Sequence, residues 1–392
     1  MEVINNYFKT QSDFLDTASG THEKAGTENI HNAETSLHHA EGAAHVIGHN
    51  RDYTLIIVLA ASLIIFGITL FLRIGLLKYF GFYEPDGFYH FSIIRGIVNN
   101  HFIPPKNATL SGWPVHPAIN GEPLGLYYIT LIPYFFLRLF GISYYTIMRL
   151  VPLAFAILDL IGAYFLVRKW NKDSVFGLLT MLFIAISMGN AARTSATIYR
   201  GDGFVIIFLI LALIFLIDAI RSSTQKRKVA YALLSGFILS IGNVVWNGAA
   251  FAVAIYVICY ALFMFYAFVK EDRNLLDSLK YLLVSLALWY VLANIYLAAN
   301  IIQIQTFVGI HFIFLYAFLV AGLLIITALL DNKDRFQIYT KDSSRRAATF
   351  IVLAIIGILI IYLLMPQFVY EIFVGNGFVI QNNFGSTIEE LQ

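Results

Sequence analysis

The sequence predicts an all-α membrane protein of about nine transmembrane helices, with a long first outer loop containing a surface helix. Three observations carry that prediction. Of the 392 residues, 59% are hydrophobic and 13% charged, against about 25% charged in a typical soluble domain. The apolar residues, which raise the mean hydropathy to +0.73, fall in blocks of 17 or more, long enough to cross a ~30 Å hydrocarbon core as helices. The Lys and Arg residues gather in connections that a single topology puts on one side. Inside hydrocarbon each backbone N–H and C=O must be satisfied within its own segment, so these blocks are helices rather than strands.

Residues 1–52 differ from the rest, being rich in Glu, Asn, Thr, Ala and Gly and holding six of the ten histidines. No apolar stretch near Met1 resembles a cleavable signal, and the histidine spacings match no metal-ligand motif. This segment reads as a polar, disordered cytoplasmic arm. Apolar spans follow at 53–77, 146–167, 174–190, 203–220, 229–247, 249–269, 280–298, 307–329 and 348–365. Residues 124–140 are apolar too, but contain Pro133 and Arg138 and follow a Pro-rich polar stretch. Read as a helix along the membrane surface, they leave the basic connections 168–173, 221–228, 270–280 and 331–346 on the side of the N-terminal arm, as the enrichment of Lys and Arg in cytoplasmic loops requires. The division is then an arm at 1–52, a transmembrane domain at 53–365 and an outer segment at 366–392. Cys259 lies in an apolar block, so disulfides play no part. A net charge of +2 says little about partners, and no nucleic-acid partner is expected.

Three outer segments carry acids. The first loop opens Glu84-Pro85-Asp86-Gly87-Phe88-Tyr89-His90; the second runs Arg193-Thr194 to Arg200-Gly201-Asp202; the last holds Thr387-Ile388-Glu389-Glu390. Acids at the mouths of membrane helices are costly unless paired, and three of them on one face can converge on a hard divalent cation such as Mg²⁺ or Mn²⁺. The plainer alternative for each is a helix cap or a solvated loop residue. Asp159 and Asp218 lie within apolar spans and are as readily helix–helix hydrogen-bonding groups as functional ones. Asn107-Ala108-Thr109 is a glycosylation sequon in an outer loop.

At these residues the chain resembles the catalytic subunit of oligosaccharyltransferase, a GT-C membrane enzyme of protein N-glycosylation. The Glu84–His90 stretch is similar to the family's first acidic motif and Arg193–Asp202 to its second. Trp246-Asn247-Gly248 resembles its Trp-x-Gly, and Thr387-Ile388-Glu389-Glu390 matches the Thr-Ile-x-Glu of archaeal-type members. Two departures stand out. Arg200 occupies the first acidic position of the second motif. The family's Trp-Trp-Asp motif and C-terminal soluble domain have no counterpart, so the resemblance covers residues 53–392, and either the chain is a fragment or a partner chain supplies the rest.

The resemblance implies a metal-dependent, inverting transfer of a glycan from a lipid-linked oligosaccharide, on polyprenyl or dolichyl phosphate or pyrophosphate, to Asn of an Asn-x-Ser/Thr acceptor. It implies Asp86 and Glu390 as catalytic carboxylates, and Asp86, Asp202 and Glu390 as ligands of Mn²⁺ or Mg²⁺. Thr387, Ile388, Arg193, Arg200 and His90 then contact substrate or orient the groups that do. The site is expected on the extracytoplasmic or lumenal face, among membrane lipid. Rival readings are another GT-C lipid-linked-sugar transferase, which would lack Thr-Ile-x-Glu, and a non-catalytic donor-binding subunit, favoured by Arg200. A transporter would need discontinuous helices and polar mid-span residues.

Overall fold

A computed structural model of the protein describes residues 55–104, 123–246, 250–299, 310–336, 341–364 and 366. The chain divides into two units, Met1–Ala60 and Ala61–Gln392. Of the first, only residues 55–60 are described, as the opening of a helix; all the packing below lies within the second.

Helix α1 (Leu55–Lys78) ends in a 3-10 turn, Gly75–Lys78. The first loop then forms two helices, α2 (Pro85–Asn99) and α3 (Leu124–Leu137). Next come α4 (Tyr144–Asn171), α5 (Ser174–Ile186), α6 (Met188–Thr194), α7 (Gly201–Arg221) and α8 (Gln225–Val245). The chain continues through α9 (Ala250–Lys270), α10 (Arg273–Ala298), α11 (Ile310–Asp331) and α12 (Ser343–Leu364). No strand occurs among the described residues. Eight of these helices are long and apolar enough to cross a membrane, or nine if the bent pair α5–α6 counts as one span. The expected surface helix is α3, whose 14 residues span about 21 Å at 1.5 Å per residue, short of the hydrocarbon thickness.

Local signals explain many of the helix starts. Ser143 accepts from Thr146 N at 3.1 Å ahead of α4, Asp173 from Val175 N at 2.7 Å ahead of α5, and Asp272 from Leu275 N at 3.0 Å ahead of α10. Each satisfies one of the orphan N–H groups of a first turn. The expected spans at 229 and 280 begin earlier, at Gln225 and Arg273, because their first turns are polar and carry no hydropathy signal.

Burial sorts centre from periphery. Half of the apolar window of α4 is buried, against 6% for α12. The outward residues of the peripheral helices, such as Phe71 and Leu363, would make an aggregating surface in water and are at home against acyl chains. One core surrounds Trp289, Tyr256, Tyr260, Phe268 and Phe312. The other joins Phe82, Ile93, Ile94, Ile97, Tyr127, Met148, Tyr199 and Phe204, and supports the acidic loops.

The basic connections meet at one end, as the charge pattern predicts. Lys169 pairs with Asp218, and Arg221 donates to the carbonyls of Lys169 and Trp170. Lys228 and Lys280 both lie over the Tyr281 ring. Arg273 pairs with Asp331, and Glu271 with Lys333 and Arg346. Asp218 thus serves as an ion-pair partner between helix ends.

Candidate functional site

At the opposite end two helix N-termini face one another. Glu84 is the N-cap of α2 in extended conformation, followed by Pro85, whose missing N–H costs nothing in a first turn. Asp86 stands in that first turn. Arg200 is the N-cap of α7, and Asp202 stands in its first turn. Carboxylates in the first turn are favoured by the positive end of the helix dipole, a placement that both aspartates share.

Arg200 joins the two loops. Its Nη1 lies 3.3 Å from Glu84 Oε2 and 3.2 Å from Asp86 Oδ2, and its Nε 3.5 Å from Asp202 Oδ1. Arg193 Nε approaches the other oxygen, Asp202 Oδ2, at 3.4 Å. Three carboxylates against two guanidiniums leave one net negative charge. Burial alone would lower the Arg200 pKa, but Asp202, Glu84 and Asp86 outweigh it and raise it, so this guanidinium is permanently charged.

Close backbone packing holds the second loop. A Cβ on Gly203 would stand 2.5 Å from the Arg193 carbonyl oxygen, and one on Gly201 2.9 Å from Trp246 Cβ and the Val245 oxygen. Trp246 therefore acts as a wall behind the second acidic loop. Within that loop Thr197 adopts a left-handed φ of 74°, a strained choice for a β-branched residue. Hydrogen bonds fix it: Ala196 N donates to Arg73 O and Thr197 N to Arg149 O, each at 3.0 Å. Arg149 Nη2 in turn donates to Leu77 O at 3.0 Å and Tyr79 O at 2.6 Å. The end of α1 and the second loop are thereby stitched together.

His90 lies one turn beyond Asp86. Its Nδ1 is 3.4 Å from Tyr127 OH, and its ring packs edge-on to Tyr89 and Tyr199. Tyr199 OH contacts Thr130 Oγ1 at 2.9 Å and donates to Leu126 O, pinning the loop to α3. Burial pushes the His90 pKa down to about 4, with Asp86 pulling it up and Arg200 lowering it.

The structure thus brings together Glu84, Asp86, His90, Arg193, Arg200 and Asp202. Asn247, Gly248, Thr387, Ile388, Glu389 and Glu390 lie outside the described residues, as do the sequon at 107–109 and the histidine-rich arm. Among the described residues no three His, Cys, Asp or Glu side chains are grouped to hold a metal ion. Asp202 Oδ1 is buried and lacks a hydrogen bond, but the Arg200 guanidinium sits between it and Asp86. The described donors alone therefore do not fit a hard divalent cation. Sequence reasoning overlooked Tyr127, Tyr199, Arg149 and Arg73. Only Arg73 and Arg149 carried a usable signal, as ionisable residues in apolar spans.

A family model described as oligosaccharyl transferase STT3, N-terminal, matches residues 53–378. The chain belongs to this family. Among curated relatives, dolichyl-phosphooligosaccharide-protein glycotransferase 2 of Pyrococcus furiosus is 29% identical over 176 residues, 44% of this chain and 23% of its own length. Glycotransferase 1 of Pyrococcus horikoshii is 31% identical over 178 residues, 45% and 18% respectively. The match thus spans about a fifth of these relatives. In fold, the chain resembles the oligosaccharyltransferase AglB of Archaeoglobus fulgidus in complex with an inhibitory peptide and a dolichol-phosphate, with TM-score 0.58, 17% identity, and 84% of this chain covering 40% of that one. Structures of an Archaeoglobus fulgidus oligosaccharyltransferase complexed with Zn and sulfate, and tethered to an acceptor peptide containing an NVT sequon, give 0.55 and 0.53 at 16% identity, covering 78% of this chain and 40% and 38% of theirs. An STT3-family chain with this many apolar helices is a multi-pass membrane protein.

Proposed function

We propose that this chain forms the membrane part of an oligosaccharyltransferase that moves a glycan from a polyprenyl or dolichyl phosphate or pyrophosphate carrier to the Asn of Asn-x-Ser/Thr. The observation that carries the reading is the meeting of Glu84, Asp86 and Asp202 around Arg200 at the end remote from the basic connections. The carrier's lipid tail lies in the bilayer, so its phosphate reaches the rim where these loops sit. Arg200 presents a planar fork of donors suited to phosphate oxygens, and Arg193 steadies Asp202. The acceptor amide nitrogen is a poor nucleophile because its lone pair is conjugated with the carbonyl. Asp86 and Glu390 accept its N–H hydrogens, holding the nitrogen against the anomeric carbon, and attack opposite the phosphate inverts that carbon. Thr387 and Ile388 line the acceptor groove, and His90 supports Asp86 from one turn behind.

A Mn²⁺ or Mg²⁺ centre on Asp86, Asp202 and Glu390 requires Glu390 to join the described pair and Arg200 to give way, so no step is assigned to a metal. A second reading, a donor-binding subunit without transfer of its own, is favoured by Arg200, which already occupies the acids as an ion-pair partner. Further sequence or a partner chain supplies what the relatives hold beyond the matched region.

A transfer assay in membranes tests this, with a fluorescent Asn-x-Thr peptide, lipid-linked oligosaccharide, and added Mn²⁺ or EDTA. Glycopeptide formed by the chain and lost on Asp86→Ala and Glu390→Ala, by about 100-fold or more, is expected; positioning and electrostatic groups have effects of that order. Product indifferent to both substitutions sinks the proposed roles. Donor binding without product, with or without a completing chain, establishes the second reading instead.

A further inference from the structure

The apolar block 174–190 contains no proline, yet α5 and α6 are bent by 64° at Ser187. The cause lies in a buried side chain from α1. Arg73 is 1% exposed. Its Nη1 donates to Ala185 O at 2.8 Å, and its Nη2 approaches Ile184 O at 3.4 Å. In a straight helix those carbonyls would accept from Gly189 and Met188; a side chain entering the ladder is a recognised origin of a sharp kink. The same guanidinium donates through Nε to Thr194 Oγ1 at 2.9 Å and through Nη2 to Asn190 Oδ1 at 2.8 Å. Asn190 Nδ2 then donates to Asp159 Oδ2 at 3.3 Å, and Asp159 is fully buried in α4. One amide thus links the buried guanidinium of Arg73 on α1 to the buried carboxyl of Asp159 on α4, with α6 between them.

We propose that Arg73, Asn190 and Asp159 are positioning residues: a buried latch that sets the bend of α5–α6 and so places Arg193 against Asp202 in the second acidic loop. The proposal deepens the transferase reading, and only its kinetic arm rests on that reading. Two facts make the latch more than a buried polar cluster. It grips the last turn of α6, with Thr194 next to Arg193, and the Arg73 carbonyl also receives Ala196 N at 3.0 Å. Moreover, α1 buries only 11% of its apolar window, so Arg73 is its chief polar hold on the bundle. None of the three residues reaches the acids directly; they act through α6.

Removing one buried member of a polar network leaves its partners unsatisfied, whereas replacing buried polar groups together by apolar ones is often tolerated. The decisive variant is therefore the double Arg73→Met/Asp159→Leu, with Asn190→Leu as a second that cuts the link alone. Nitroxide labels at Tyr83→Cys and Met188→Cys, both exposed positions, in a Cys259→Ser background, report the distance from the first acidic loop to α6. The expected result is one narrow distance in the parent and a shifted or broadened distribution in both variants. With the double at parental melting temperature, kcat should fall about 10- to 100-fold, as a displacement near 1 Å can produce, with peptide KM within about twofold. An unchanged distance, or a double variant that regains kcat along with its melting temperature, overturns the proposal. If the parent itself transfers no glycan, the transferase reading falls, and the distance measurement still decides the latch.

Discussion

Arg200 and His90 are neighbours that one site holds in opposite charge states, the first by nearby acids and the second by burial. The guanidinium is held charged by Asp202, Glu84 and Asp86, while burial keeps the imidazole neutral. His90 therefore predicts a pH dependence. An unfolded chain takes up a proton near the ordinary imidazole pKa of about 6.5, but the folded chain does not until about pH 4. Between those values the unfolded state binds more protons, so stability rises with pH. The contribution is intact above about 6.5 and is lost as the pH falls towards 4. Melting midpoints in detergent from pH 7.5 to 4.5 should fall more steeply for the parent than for His90→Gln; equal slopes would mean that His90 is not held neutral. Residues of this kind were half legible in the sequence. Glu84, Asp86, Arg193 and Asp202 stand in short local patterns at helix mouths. Arg73, Asn190 and Tyr199 take their meaning from partners that are distant in sequence, such as Thr194, Asp159 and Thr130, and no local pattern reports those.

The helices themselves were mostly legible, because hydropathy is a property of one segment at a time. Two were not. The turn-rich start of the first loop hides α2, whose Pro at the first position and Asp86 in the first turn mark a helix start only in retrospect. The bend in 174–190 is imposed by α1, so the segment's own residues give no sign of it. What its neighbours do predict is sensitivity at Gly203. There an added methyl meets backbone, the Arg193 carbonyl at 2.5 Å, which cannot swing aside. Gly203→Ala should cost about 1–3 kcal/mol, as overpacking does, and should separate Arg193 from Asp202. Gly67→Ala, also helical but with nothing within 4 Å of the new atom, is the control and should leave the melting midpoint unmoved or raise it, since alanine favours a helix over glycine. A Gly203→Ala protein as stable as that control would show that the α6–α7 junction is looser than its packing implies.

For the whole molecule, the sequence supplied the polarity of the bundle, since the clustering of Lys and Arg survives ignorance of every contact. The structure adds a parity argument. Lys169 at the end of α4 pairs with Asp218 near the end of α7, so these ends lie together. Arg193 at the end of α6 pairs with Asp202 at the start of α7, so the bent pair carries the chain from the basic end back to the acidic one. From Tyr83 to Lys226 the chain then crosses by α4, by α5–α6 and by α7, an odd number, provided α3 does not cross. Tyr83→Cys and Lys226→Cys, both at exposed positions in the Cys259→Ser background, should therefore react with a membrane-impermeant maleimide from opposite sides of sealed cells. With basic loops inside, Tyr83→Cys labels without lysis and Lys226→Cys only after permeabilisation. The reverse pattern would invert the orientation and place the acidic loops in the cytoplasm. Labelling of both from one side would make the number of crossings even. That requires either that α3 spans the bilayer despite its length or that α5–α6 dips in and returns, and in either case Arg200 could not meet Glu84 and Asp86 as the ion pairs demand.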